Sequence, residues 1–262
     1  MEQNKKTNTA IVRFSSGRGN QMEIKFPNVV SKKNAIEDIY IDSFTAEVYV
    51  NYGKKDGDIR AIEGMKWEES KSLSTEEKNS FLIENSHLVE VDDEQIQNMM
   101  QEIHHLTRDK EQQIYIYLSR ETFKITSIKG KEGTDGECII ESYRFIKEYN
   151  EKGEKIVSPP MIEVENIKGA LLGQVHTHNL VQNKERKNKF GPSEKDEKSA
   201  SNLGIYIYVL DSWNFWKKNA EVYIYRVSPT GIMKKVGTTK GKGDAENIVN
   251  VGLECLNFRV GR

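Results

Sequence analysis

Two of the chain's five histidines, His176 and His178, are separated by a single residue. Side chains on an extended strand alternate faces with period two, so both imidazoles point the same way and can reach one metal ion. Eighteen positions beyond His178 stands Asp196, three residues after Ser193. Helical positions i and i+3 share a face, so the carboxylate and the hydroxyl are presented together. Two neutral imidazoles and one carboxylate form a three-ligand set with one coordination position open, the arrangement a catalytic zinc requires. That set leaves the ion enough positive charge to acidify a water, whereas a fourth protein ligand would close the site. An isolated His-x-His pair is common on strand ends, and the Ser193-x-x-Asp196 element gives this one its weight. The other chemistry-bearing residues read as structural. His104 and His105 are adjacent and diverge by about 100° on a helix, so they cannot chelate one ion together. His87 has no ligand-type neighbour at a suggestive spacing. Cys138 and Cys255 lie 117 positions apart. They supply neither a disulfide framework nor a cysteine-rich metal site, and neither sits in a papain-like or caspase-like segment.

These residues need elements to place them. The apolar run Gly169-Ala170-Leu171-Leu172-Gly173-Gln174-Val175 suits a central strand and delivers His176-Thr177-His178 at its C-terminal end, where sites of open α/β sheets usually lie. Residues 179–189 are polar and read as an exposed loop, with the lysine-rich stretch from Lys184 to Lys189 solvated. Pro192 to Ala200 reads as a helix with Ser193 near its cap and acidic groups in its first turn. Upstream, Asp92-Asp93-Glu94 offers capping chemistry to a helix whose apolar face is Ile96, Met99, Met100, Ile103 and Leu106. Ile114 to Leu118 and Thr122 to Ile128 follow as strands, with a turn between Gly130 and Gly136. Tyr143 to Tyr149 and Lys155 to Val157 flank a turn at residues 150–153. Ile205 to Leu210, Glu221 to Val227 and a short Ile232 to Val236 complete the strands. Trp213, Phe215 and Trp216 are expected in the core. Before all of this, period-two segments at Ala10 to Phe14, Met22 to Phe26 and Ala46 to Val50 mark a separate strand-rich module. We place it at residues 1–88, with the metal-bearing domain at 89–262.

The pattern His176-Thr177-His178, then Ser193-Glu194-Lys195-Asp196, resembles the JAMM (JAB1/MPN/Mov34) metalloprotease motif, and more closely the divergent bacterial JAB-like domains, including those of polymorphic toxins. The flanking runs Leu171 to Val175 and Leu203 to Val209 are similar to the strands that bracket the motif in that family. The likeness spans about residues 93–237 and leaves out the first 90. It implies an α/β fold with a mixed sheet flanked by helices, similar to cytidine deaminases, following the small N-terminal module. It implies Zn2+ held by His176, His178 and Asp196, with Ser193 supporting the oxyanion of a tetrahedral intermediate. It further implies a glutamate just after the first helix, at the start of the first core strand, as general base. Glu111 holds that place, with Glu121 and Glu141 as the second and third choices. The activity implied is zinc-dependent hydrolysis of an amide bond by a peptidase or isopeptidase, with a toxin or effector role among the settings; the alternative is a noncatalytic scaffold of the same fold. A zinc deaminase would want a Pro-Cys-x-x-Cys segment, which the sequence lacks.

Composition narrows the partners. Lys plus Arg number 39 against 40 Asp plus Glu among 262 residues, a formal net charge of −1, which disfavours a generally basic nucleic-acid binder. Aromatic residues reach 9%, which argues against disorder. No run of 18 apolar residues occurs, so no membrane span is expected. The polar start lacks a secretory signal, so the expected location is the cytoplasm or outside the cell by a signal-independent route. The expected partner is a protein or peptide substrate, with ubiquitin-like proteins, peptides and other amides left open.

Overall fold

The computed structural model describes residues 9–15, 21–27, 36–42, 48–52 and 59–62, eight positions between 66 and 81, and residues 84–107, 109–134, 137–140, 143–144, 147–149, 155–157, 161–164, 167–179, 191–211, 221–240, 245–246, 251–252 and 254–255. By internal contacts the chain divides into two units, residues 1–90 with 145–159 and 260–262, and residues 91–144 with 160–259.

The first unit carries β1 (Thr9–Ser15), β2 (Gln21–Pro27), β3 (Ile36–Asp42), β4 (Val48–Tyr52), β5 (Ile59–Ile62) and β6 (His87–Leu88). They form a six-stranded sheet in the order β2-β1-β3-β4-β5-β6. Every pairing is antiparallel except β1 with β3, which is parallel. Ala61 and Ile62 are buried.

After β7 (Glu90–Val91), the second unit runs through α1 (Asp93–Leu106), β8 (Gln113–Ser119), β9 (Lys124–Lys129) and β10 (Tyr143–Arg144). The first unit contributes β11 (Lys147–Tyr149) and β12 (Lys155–Val157), an antiparallel pair. The second unit resumes with β13 (Met161–Val164), β14 (Ile167–Thr177), α2 (Glu194–Leu203), β15 (Tyr206–Leu210), β16 (Glu221–Val227), β17 (Met233–Lys240) and β18 (Ala245–Glu246). Its sheet is mixed, ordered β18-β17-β16-β15-β14-β8-β9, with β13 also paired to β14 and β10 to β13. The class is therefore mixed α/β, with few helices among the described residues. The last strand is longer than the sequence indicates, because β17 continues to Lys240 through a register shift opposite Ile224 and Tyr225.

Asp92 caps α1 by accepting from the backbone N–H of Gln95. The helix buries Ile96, Met100, Ile103 and His104 against β8, β9 and β14, each apolar side chain contributing about 1.5–3 kcal/mol relative to exposure. Leu106, expected on that face, is 50% exposed. The turn that follows Met100 on the buried stripe falls on Ile103 and His104, so His104 takes the inner place. The strand expected from Thr122 begins at Lys124, because residues 120–122 form a turn that leads into Phe123 with a φ of +53°.

β14 is the spine of the unit, antiparallel to β8 on one side and parallel to β15 on the other. A register shift between Leu171 and Gly173 bulges the strand, a device that re-aims downstream side chains. Beyond it Gln174, His176 and His178 share one face. Gly169 is required by close approach, since a Cβ there would lie 2.3 Å from the carbonyl oxygen of Leu118. Among the described residues no helix is long and apolar enough to cross a membrane.

Candidate metal centre

The parallel pairing of β14 and β15 with α2 between them brings three features together: the carboxyl end of β14, the N-terminus of α2 and the carboxyl end of β15. His178 N–H donates to Leu210 O at 2.8 Å, carrying the pairing past the last residue of β14. Ser193 is the N-cap of α2, at φ −92° and ψ 166°. Its hydroxyl accepts from Asp196 N–H, while the Asp196 carboxylate accepts from Ser193 N–H, a reciprocal capping box. This local chemistry turns Asp196 inward.

The result is a buried cluster in which His176, His178 and Asp196 each offer a donor atom within 4.8 Å of the others. Nε2 of His176 lies 3.3 Å from Asp196 Oδ1, and Nε2 of His178 lies 3.8 Å from Asp196 Oδ2. His176 and His178 are 4% and 3% exposed and Asp196 9%. Burial by itself lowers the His176 pKa, but the charge and hydrogen bond of Asp196, with Glu111 and Asp211 adding, outweigh it and hold the pKa above the ordinary value of 6.5. Burial by itself raises the Asp196 pKa, yet His176 and His178 hold it well below the ordinary 3.8. Three donor atoms converging on one point, two of them imidazole nitrogens and one a carboxylate oxygen, fit a divalent ion of borderline softness.

The cluster lies in an open cleft of about 380 Å³ lined by Glu111, Cys138, Gln174 and Ser193 as well as the three ligand candidates. Glu111 is 2% exposed and stands one residue before Gln112 and the start of β8. Its backbone N–H donates to Thr134 O and its carbonyl accepts from Gly133 N–H, both at 2.9 Å. On the other side, Gln112 N–H donates to the Thr177 hydroxyl at 2.9 Å, and Thr177 N–H donates back to Gln112 O at 3.0 Å. The segment bearing Glu111 is thereby fastened to the residue between the two histidines. The Cys138 thiol donates to the Glu111 carboxylate, and its pKa is pushed up by burial first and by the charge of Glu111 next.

The structure thus brings Glu111 to the cleft and does not bring Glu121, which is exposed in the turn beyond the far end of β8. Glu141 lies outside the described residues, as do Lys184 to Lys189, Trp213, Phe215 and Trp216. Ser193 lines the cleft, and its hydroxyl proton is directed at Asp196 Oδ2 at 2.7 Å. Its service at an oxyanion requires that hydroxyl to rotate away from the carboxylate. His104 is buried and His105 exposed, on divergent faces of α1.

Sequence reasoning missed Asp211, 2% exposed, whose carboxylate meets His178 Nδ1 at 2.9 Å and Gly191 N–H at 2.6 Å. The signal in the sequence was an acidic residue closing the apolar strand next to the His-x-His strand. Also missed was the amide pair behind the cleft. Gln113 spends Nε2 on the carbonyls of Lys131 and Ile139, at 2.8 and 3.1 Å, so its oxygen accepts from Gln174 Nε2 at 2.7 Å. That fixes the amide of Gln174 and leaves its oxygen as the group open to a ligand.

No protein-family model matches the chain, and no curated protein matches it. The site stands on its own residues.

Proposed function

We propose that the second unit is a zinc-dependent peptidase or isopeptidase of the JAMM type that its motif resembles. The observation that carries this reading is the convergence of His176, His178 and Asp196 in a cleft with the buried Glu111 beside them. Zinc, when bound, supplies a Lewis acid that acidifies water and polarises a carbonyl. His176, His178 and Asp196 would hold it, and no fourth His, Cys, Asp or Glu among the described residues joins their cluster. Glu111 takes the proton of the attacking water and later returns it to the leaving amine. Its buried position, braced from both sides, suits a base that must keep its aim through two proton transfers. Ser193, its hydroxyl turned from Asp196, donates to the developing oxyanion. Gln174 offers a fixed acceptor to an N–H of the substrate, which favours a peptide or isopeptide over an amide without such a donor.

The test is hydrolysis of a proteome-derived peptide library and of isopeptide-linked ubiquitin conjugates by the zinc-loaded chain, with products read by mass spectrometry. We expect cleavage by the wild type and a fall of about 10²- to 10⁴-fold for Glu111→Gln, the usual worth of a general acid/base, at unchanged zinc content. A fully loaded wild type that cleaves neither substrate set would favour the noncatalytic scaffold. A Glu111→Gln chain as active as the wild type would remove Glu111 from the reaction.

A further inference from the structure

The two histidines of the site are of one residue type, yet the fold treats their outer ring nitrogens differently. Nδ1 of His176 is buried and meets no hydrogen-bond partner among the described residues. Nδ1 of His178 faces Asp211 Oδ1 at 2.9 Å. The second oxygen of the same carboxylate accepts from Gly191 N–H at 2.6 Å, and Asp211 N–H is itself anchored on Tyr223 O at 3.0 Å. Gly191 holds a φ of +86°, with the Tyr225 ring 3.5 Å from where a Cβ would stand. Two residues later the chain reaches Ser193, the cap that turns Asp196 inward.

An ionised carboxylate has acceptors and no donor, so the proton of the His178–Asp211 hydrogen bond belongs to the imidazole. We propose that Asp211 is a positioning residue: it fixes neutral His178 as the Nδ1–H tautomer, with Nε2 bare toward Asp196, and with its other oxygen it anchors the entry to α2. One buried carboxylate then sets both the histidine on β14 and the segment that delivers the aspartate. A carboxylate behind a ligating imidazole orients the ring and raises its basicity, so this assignment deepens the zinc reading and rests on it for its purpose.

Asparagine is a sharp probe because it keeps the shape and exchanges one acceptor for a donor. In Asp211→Asn, an amide nitrogen facing His178 would force the imidazole to carry its proton on Nε2. The same nitrogen facing Gly191 would set two donors against each other, and that contact would open. The experiment is long-range 1H–15N correlation of the histidine rings in the full chain, stripped of metal by a chelator and held at a pH where the imidazoles are neutral. His178 is assigned by its loss in His178→Gln, and amide exchange at Gly191 is followed in parallel. The expected wild-type result is Nδ1–H at His178 and a protected Gly191 amide. In Asp211→Asn, either the proton moves to Nε2 or Gly191 loses its protection. Zinc affinity, measured by competition with a chromophoric chelator, falls about 10- to 100-fold, the usual effect of removing such a partner. An Nε2–H His178 in the wild type overturns the proposal with no variant needed, which covers the case of a variant that does not fold. An Asp211→Asn chain that keeps both features and its zinc affinity also overturns it. A wild type that shows the Nδ1–H tautomer and binds no zinc sinks the metal reading and leaves the assignment to Asp211 standing.

Discussion

At the scale of single residues, the ligand candidates were legible because their chemistry is written in spacing. His176-x-His178 needs only the alternation of a strand, and Ser193-x-x-Asp196 needs only one helical turn. Glu111 was reached only through the family resemblance, which puts a glutamate just after the first helix and at the start of the first core strand. Asp211 was not, because it lies 33 positions beyond His178 and meets it through a parallel crossover that no local pattern reports. The same charges set a pH dependence for the chain stripped of metal by a chelator. Asp196 titrates below its ordinary 3.8, so its contribution to stability is present above that value and is lost as pH falls through the lowered pKa. His176 titrates above its ordinary 6.5, so its contribution is present below that value and is lost as pH rises through the raised pKa. Stability from this pair is therefore fullest between about 3.8 and 6.5. Thermal unfolding of the stripped chain should show the melting temperature falling as pH rises above about 6.5, through the raised pKa at which His176 gives up its proton, and His176→Gln should flatten that slope. A slope unchanged by His176→Gln would detach the dependence from this residue.

At the scale of elements, strands and helices followed from periodicity where burial is one-sided or complete. The continuous apolar run of β8 and the capped stripe of α1 are examples, and α2 begins where Ser193 offers its cap. What periodicity misjudged was the end of α1, where His104 packs inward and Leu106 faces out. A histidine can satisfy its polar atoms and still be buried, so hydropathy alone misassigns it. The bulge in β14 was equally illegible, because one extra residue depends on the partner strand and leaves no mark in a single sequence. Gly169 shows what such contacts demand. Its α-hydrogen faces the Leu118 carbonyl where a Cβ would lie at 2.3 Å, so Gly169→Ala must push β14 from β8 and should cost about 1–3 kcal/mol as overpacking does. Urea unfolding measures that cost. A midpoint equal to the wild type would show that the two strands separate without penalty.

At the scale of the whole molecule, the formal charge is nearly balanced at −1, and the cluster that could hold a metal lies at the carboxyl end of β14 and the N-terminus of α2. A sheet that pairs one strand antiparallel on one side and parallel on the other opens a place at that end where ligands can converge. The proposed function depends on a metal being held there by the three side chains. The most direct measurement is the zinc content of the purified full chain by elemental analysis, beside His178→Ala and Asp196→Ala chains shown to be folded by circular dichroism. The account predicts one zinc per wild-type chain and none in either variant. A wild type that holds no zinc after exposure to it, or folded variants that retain it in full, would contradict the account.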